Sequence, residues 1–323
     1  MPYHPRIDCE NLPNFTTTRS RNCELWFTCN YRLEQSILGH LAQLQDRYEI
    51  TLYAFAMEGS HKHEVARFPG GSRASFFRDF NSATTRAVQR FSSNFPGGSL
   101  WSRRYSNEFI IGDQEVENQF FYTVLQPVQD GLVKSIDEYP GYNCFYDAVY
   151  GIKRQYEVVN WTRYNSDRRW KRNIRIEEYT TSYVLEYARL PGYEELSQNE
   201  YADLMIAKLK ARTKELVRDR EKAGKKFMGK EKLLKVRPGT RAKSPKTSTR
   251  WSFRPRFHCG CSKTLRAMTN WYFSMLNKFS EASYRYRIEG LSESKFPPGM
   301  FKPPSFTCTY ILRHEDVLAA EAV

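Results

Sequence analysis

The sequence predicts an α+β fold: a ferredoxin-like antiparallel sheet with helices on one face, followed by a basic, mainly helical C-terminal region. Three observations carry this. Strand-like and helix-like hydrophobic periods alternate in the order β-α-β-β-α-β-α up to about residue 133. Two "PGGS" turns, at 69–72 and 96–99, bracket a helical pattern. The charge also changes sign along the chain. Residues 1–150 hold 14 basic and 17 acidic side chains and residues 151–323 hold 36 and 19, so the net charge of +14 is −3 from the first part and +17 from the second.

Residues 1–19, with Pro2, Pro5 and Pro13 and no sustained period, read as an irregular N-terminal segment, and a folded domain is expected over 20–150. In it, "CELWFTCN" (23–30) reads as a strand. The next stretch, 31–49, is helical, with Leu33, Ile37, Leu41 and Leu44 on one face. "ITLYAFAME" (50–58) and "HKHEVARF" (61–68) read as strands joined by a turn at Gly59-Ser60. A helix over 73–91 aligns Phe76, Phe77, Phe80, Ala83, Ala87 and Val88, a strand spans 100–111, and a helix over 113–133 opens on Asp113 as N-cap. The basic region, 151–323, is expected to contain a helix over 199–226, a mobile basic segment at about 225–250, a helix over 263–286 and an extended proline-rich stretch at 296–306.

Composition excludes several classes. Hydrophobics at 40% and aromatics at 15% exclude a wholly disordered chain. No signal-peptide pattern opens the sequence, and the apolar stretch 50–57 is too short to cross a bilayer. Seven cysteines without framework spacing imply reduced thiols and hence a cytoplasmic protein, nucleoid-associated if its polyanion is DNA. The positive half lacks an amphipathic helix with a bulky apolar face, so nucleic acid rather than membrane is the expected polyanion.

Candidate chemistry centres on "GSHKHEVARF" (59–68). On a strand, residues two apart point the same way, so His61 and His63 stand side by side, as a metal site requires and as an exposed histidine pair also does. In "FFYTVLQPV" (120–128), Tyr122 and Gln126 are four apart on one helical face, and Pro127 breaks or kinks the helix at that point. No phosphate-binding loop of the G-x-x-x-x-G-K-[ST] type occurs, and "FHCGC" (257–261) lacks the second ligand pair of a zinc site. Tyr105, Tyr139 and Tyr142 have no ligand-type residue at helical i+4.

The run "FAMEGSHKHEVARF", "SFFRDFNSATTRAVQRF", "LWSRRYSNEFIIGDQEVENQFFYTVLQPVQDGLV" and "EYPGYNCF" resembles the REP-associated tyrosine transposases, a branch of the single-tyrosine HUH transposases, over roughly 20–145. "RPRF" (254–257), "MTNWYFSMLNKFSEASYRYRIEG" and "FPPGMF" are similar, more loosely, to the C-terminal regions of the longer members. The resemblance implies a DNA transposase or strand transferase that cleaves and rejoins single-stranded DNA at palindromic hairpins. It implies Tyr122 as nucleophile and His61, His63 and Gln126 as ligands of Mg²⁺ or Mn²⁺, with a 5′-phosphotyrosine intermediate. It leaves open whether the protein is a monomer or a homodimer.

Phosphate contacts are expected from Arg103, Arg104, Arg168, Arg169, Lys171, Arg172, Lys225 and Lys226, and base stacking from Trp161, Trp170, Trp251, Phe253 and Phe257, some of which instead build a core. Departures from the family pattern keep a second reading open. Lys62 stands where the pattern has a bulky hydrophobe, Gly59-Ser60 where it has proline-asparagine, and Glu64 where it has an apolar residue. A catalytically silent, transposase-derived hairpin DNA-binding protein is that alternative. A buried Lys62 ammonium would need to reach solvent or meet Glu58 or Glu64.

Overall fold

The structure is a computed structural model that describes residues 6–241 and 256–303. These form two compact units, one from Cys9 to Leu265 and the other made of the residues up to Asp8 and from Arg266. The first unit therefore crosses the boundary expected at residue 150.

Along the chain the elements are β1 (Asn14–Arg19), β2 (Glu24–Leu25), α1 (Tyr31–Tyr48), β3 (Thr51–Glu58), β4 (His61–Arg67), α2 (Arg73–Phe91), β5 (Ser106–Ile111), α3 (Asp113–Val124) and α4 (Gln126–Gln129). There follow α5 (Phe145–Tyr150), β6 (Arg154–Val159), α6 (Trp161–Asp167), β7 (Thr180–Leu185), α7 (Gln198–Lys222), α8 (Lys230–Leu234), β8 (Thr240–Arg241), β9 (Phe257–Cys259) and α9 (Ser262–Arg287). The main sheet runs β3-β4-β1-β5-β9, antiparallel throughout except for the parallel pair β5–β9.

The central strand β1 lies in the segment expected to be irregular, and of the strand expected over 23–30 only Glu24 and Leu25 pair. "NFTTTR" escapes a hydropathy reading because its threonines are polar, yet their branched Cβ suits a pleated strand, and Thr16 and Thr18 are buried. Of the strand expected over 100–111, the sheet takes only Ser106–Ile111.

The two faces of β4 show where the helices sit. Lys62 packs against Phe77 and Phe80 of α2, whereas His63, its neighbour on the opposite face, meets Tyr122 of α3. Helices thus cover both faces, with α1 and α2 together on one and α3 on the other, which corrects the one-sided arrangement expected. The helical faces read from the sequence are buried as expected in α1 and α2. Beyond residue 150 the region is not purely helical: β6 and β7 form a hairpin against α1, and β9 joins the main sheet. Gly39 permits that hairpin contact, since a Cβ there would lie 3.2 Å from Val158 Cγ2 and 3.4 Å from the Glu157 carbonyl. Residues 225–241 of the expected mobile segment are described and contain α8 and β8; the rest of it, with Trp251 and Phe253, lies outside the described residues.

Long α7 opens on a capping box between Ser197 and Glu200 and is fastened to α3. Glu117 of α3, buried, accepts hydrogen bonds from Lys208 Nζ (2.7 Å) and Arg212 Nη2 (3.1 Å), and also from the Tyr193 hydroxyl. The Arg212 guanidinium lies 4.4 Å from the ring centre of Phe121. Burial pushes the Glu117 carboxyl up, but the bonds from Lys208 and Tyr193 outweigh it and hold the group below its ordinary 4.5. A depressed carboxyl contributes stability that is present above the unfolded-state value and lost as the pH falls through the folded one. In thermal melts, Glu117→Gln should therefore lie well below wild type at neutral pH, and the gap should narrow below about pH 4. A constant gap would mean the carboxylate charge contributes nothing.

In the second unit, the Asp8 amide donates to the Gly299 carbonyl (2.8 Å), and Phe296 of the proline-rich stretch packs on Phe279 and Tyr286 of α9.

Candidate active site

The hairpin β3–β4 turns in two residues, Gly59-Ser60, so Glu58 pairs directly across from His61, and Ala56 across from His63. At residue 59 the turn packs closely, since a Cβ would sit 2.9 Å from Leu25 Cδ2 and 3.2 Å from Thr28 Cγ2, and a larger residue would make those side chains shift. His61 and His63 point to the same face, their ring centres 4.7 Å apart and their planes at 89°.

His63 is held by β1. Thr17, its cross-strand partner, hydrogen-bonds Nδ1 at 2.9 Å, and the Phe15 ring stacks on the imidazole at 5.2 Å. Nε2 is left buried with no hydrogen-bond partner. Burial, with the positive neighbours His61, Arg19 and Lys62, holds this imidazole well below its ordinary 6.5, so it is neutral at physiological pH, as a metal ligand must be. His61 has Nδ1 3.3 Å from Ser60 Oγ and Nε2 3.9 Å from Glu58 Oε2.

On the facing side, α3 ends at Val124. Pro127 supplies no N–H, Leu125 leaves helical geometry, and a single turn, α4, follows. The break falls where the sequence predicts it, whereas the N-cap is Gly112 (φ 93°), with Asp113 inside the first turn. Tyr122 is 41% exposed, so its side chain can be reached from solvent. Its ring stands edge-on to Phe15 (5.4 Å) and to His63 (6.0 Å). Gln126 is buried, and its Nε2 has no hydrogen-bond partner; a half-turn of the amide would present Oε1 there instead.

Two carboxylates that sequence reasoning does not assign complete the cluster. Glu58, His61 and Asp130 bring one ligand atom each within 4.8 Å of one another; Glu58 and His61 are buried and Asp130 is half-buried. Among the described residues no other group of three such side chains forms. Two carboxylates and an imidazole, with the unsatisfied Nε2 of His63 on the ring next to His61, fit a hard divalent cation such as Mg²⁺ or Mn²⁺. Both missed residues had a signal. Glu58 is fixed opposite His61 once the turn is two residues long, and Asp130 continues the spacing Tyr122, Gln126 at i+8.

The other tyrosines are engaged elsewhere. Tyr105 is buried against Phe77, and the Tyr139 hydroxyl donates to the Met57 carbonyl (3.0 Å). The Tyr142 hydroxyl contacts Asp147 (3.0 Å) and Tyr187 (2.9 Å). Burial pushes the Tyr139 and Tyr142 phenols well above their ordinary value. His258, from the cysteine-containing segment, is taken up by Glu108 (2.7 Å) and Gln119 (3.0 Å), and Cys259 Sγ approaches the Cys261 carbonyl. Phe257 stacks on Phe109 in the sheet.

Lys62 and Glu64 point away from all this. Both are buried on the α2 face, with Nζ 2.5 Å from Glu64 Oε1 and 4.0 Å from the Phe80 ring centre, while Thr16 donates to Glu64 Oε2 (2.7 Å). Of the residues expected to touch phosphate, Arg103 and Arg104 are exposed in the stretch that leads into β5. Arg168, Arg169, Lys171 and Arg172 are exposed after α6 beside Trp170, which is 86% exposed, and Lys225 and Lys226 are exposed after α7. Lys171 is paired with Asp167 (2.7 Å), and Trp161 carries the Arg90 guanidinium 3.7 Å above its ring.

No family model and no curated protein matches this chain. Among solved structures it is similar to a REP-associated tyrosine transposase bound to a REP hairpin, at 19% identity and a TM-score of 0.39, over 45% of this chain and 84% of that one. A superposition so loose carries no functional argument, and the side chains themselves must carry it. No helix among the described residues is long and apolar enough to cross a membrane.

Proposed function

We propose that this protein is a divalent-metal-dependent DNA strand transferase of the transposase type, acting on single-stranded DNA at hairpin ends through Tyr122. One observation carries the reading: the exposed phenol of Tyr122 stands against His63, on the face of the sheet that also holds Glu58, His61 and Asp130.

In the proposed reaction Tyr122 Oη attacks phosphorus, a bond forms between them, and the P–O3′ bond breaks. The phenolic proton is lost, and the departing 3′ oxygen takes one up as a free hydroxyl. A 5′-phosphotyrosyl strand remains, and because that link is itself a phosphodiester, the same groups can rejoin strands without ATP. Glu58, His61 and Asp130 are the residues that would hold Mg²⁺ or Mn²⁺, with His63 and Gln126 as the further ligands the family resemblance implies. Such an ion supplies positive charge for a non-bridging phosphate oxygen and favours the phenolate. Phe15 holds the Tyr122 and His63 rings by edge and face, limiting the phenol's freedom. The exposed bases Arg103, Arg104, Arg168, Arg169, Arg172, Lys225 and Lys226 supply a positive surface for the DNA backbone.

The test is incubation with a hairpin oligonucleotide in Mn²⁺ or in EDTA, followed by a denaturing gel. A covalent protein–DNA band in Mn²⁺ alone is expected; tight hairpin binding with no band under any metal would leave the silent-binder reading in its place. A companion measurement needs no turnover. Mn²⁺ binding followed by electron paramagnetic resonance should weaken at least about tenfold, or ~1.4 kcal/mol, in Asp130→Asn and in Glu58→Gln. Unchanged affinity in both would remove the carboxylates from the site.

A further inference from the structure

Alongside α7 runs a groove of about 570 Å³, bounded on its far side by α5 and the chain that follows α4. Its floor is apolar, from Leu209 and Val217, and one wall is Tyr146. Lys210 and Lys214, one turn apart on α7, and Lys134 line its rim. Lys134 is paired with Glu221 (2.9 Å), but Lys210 and Lys214 have no carboxylate partner among the described residues.

Tyr146 is poised rather than buried. It is 39% exposed, its hydroxyl is held by Asp137 at 2.6 Å, and its ring lies nearly parallel to that of Tyr150, which is 47% exposed (15°, centres 6.4 Å apart). An apolar floor, an aromatic wall fixed in orientation and two unpaired ammonium groups are the components that hold one unpaired nucleotide, with the base on the ring and the phosphate on the lysines. A paired base would be of little use here, because its faces are covered by its neighbours in the stack. The volume suits a single nucleotide-sized ligand. The location fits as well. Lys134 is four residues past Asp130, and the connecting turn is pinned by hydrogen bonds from Met228 N to the Gly131 carbonyl (2.9 Å) and from Gly229 N to the Leu132 carbonyl (2.8 Å).

We infer that this groove binds an unpaired nucleotide of the single strand that flanks the hairpin. The inference rests on the DNA strand-transferase reading for its substrate, but its test does not depend on chemistry. Full-length protein carrying Tyr122→Phe, in EDTA, is titrated by fluorescence anisotropy with a hairpin bearing a single-stranded flank, the same probe with an abasic flank, and a blunt hairpin. The flanked probe should bind roughly tenfold more tightly than the abasic or blunt ones, the scale of one base–aromatic stack. Lys210→Ala/Lys214→Ala should bring the flanked probe to the blunt value and reduce the salt dependence of log K by about 0.7, the change for one phosphate no longer neutralised. Tyr146→Leu should abolish the difference between intact and abasic flanks. Retention of the flank preference in the lysine variant, or equal binding of intact and abasic flanks by the parent, overturns the inference. Both lysines are exposed, so the variant's fold is not at stake. The two readings fail separately: a covalent band with a lysine-independent flank preference sinks only the groove, and a lysine-dependent preference with no band under any metal sinks only the catalysis.

Discussion

Tyr122→Phe should abolish covalent adduct formation while leaving hairpin affinity and thermal stability at wild-type values. Losing a covalent nucleophile costs a rate factor on the order of 10⁶, so no residual band is expected on any practical timescale. The variant is clean because phenylalanine keeps the edge contacts with Phe15 and His63 and removes only the hydroxyl of a partly exposed side chain. No neighbour can stand in: the Tyr139 and Tyr142 hydroxyls are committed to hydrogen bonds, and Tyr105 is buried in the sheet's other face against α2. The expected observation is a time course on denaturing gels with Mn²⁺ in which wild type accumulates adduct and the variant shows none. Undiminished adduct would remove the assigned nucleophile.

Glu64→Ala should be among the most destabilising single changes in the chain. Lys62 is fully buried and its ammonium contacts Glu64 at 2.5 Å amid the rings of Phe80, Phe77 and Trp101. Burial pulls the Lys62 pKa down and the Glu64 carboxylate opposes it, so the pair is coupled. Removing one partner of a buried pair leaves an uncompensated charge and costs about 3–5 kcal/mol. For a domain of this size that is a fall in melting temperature on the order of 10 °C. The double change Lys62→Met/Glu64→Leu, which puts apolar groups of similar volume in both places, should recover most of the loss. Thr16 then keeps only its weaker 3.4 Å contact to the backbone carbonyl of residue 64. If Glu64→Ala melts like wild type, the pair is not buried as the structure has it.

This pair also bears on the departures from the family pattern. A lysine between two site histidines reads in the sequence as a threat to the site, because an ammonium cannot sit alone in a core. Strand alternation answers it: Lys62 and Glu64 are two apart, share the α2 face and neutralise each other, while His61 and His63 keep the opposite face. Glu58 and solvent stayed open as alternatives until the register set Glu58 opposite His61, but the shared face of Lys62 and Glu64 was legible from spacing alone. So were the helical faces of α1 and α2 and the break at Pro127, since each rests on local periodicity or on proline stereochemistry.

Other features were not legible, for distinct reasons. β1 is buried in the sheet yet spelled with threonines, so hydropathy misses it. The position of α3 on the opposite face from α2 depends on connections over the sheet edge that no local pattern encodes. β9 pairs with β5 although the two lie far apart in sequence, and a three-residue strand has too few positions to show a period. Glu58 and Asp130 lie on two elements that meet only in three dimensions, and a family-derived ligand set directs attention to His63 and Gln126 instead.

The central claim is that Tyr122 attacks DNA at this site, and peptide mapping tests it most directly. The adduct formed in Mn²⁺ is digested with nuclease and protease, and the modified peptide is sequenced by tandem mass spectrometry. A 5′-linked deoxynucleotide on Tyr122 is the predicted result. A nucleotide on Tyr105, Tyr139, Tyr142 or any non-tyrosine side chain would contradict the account.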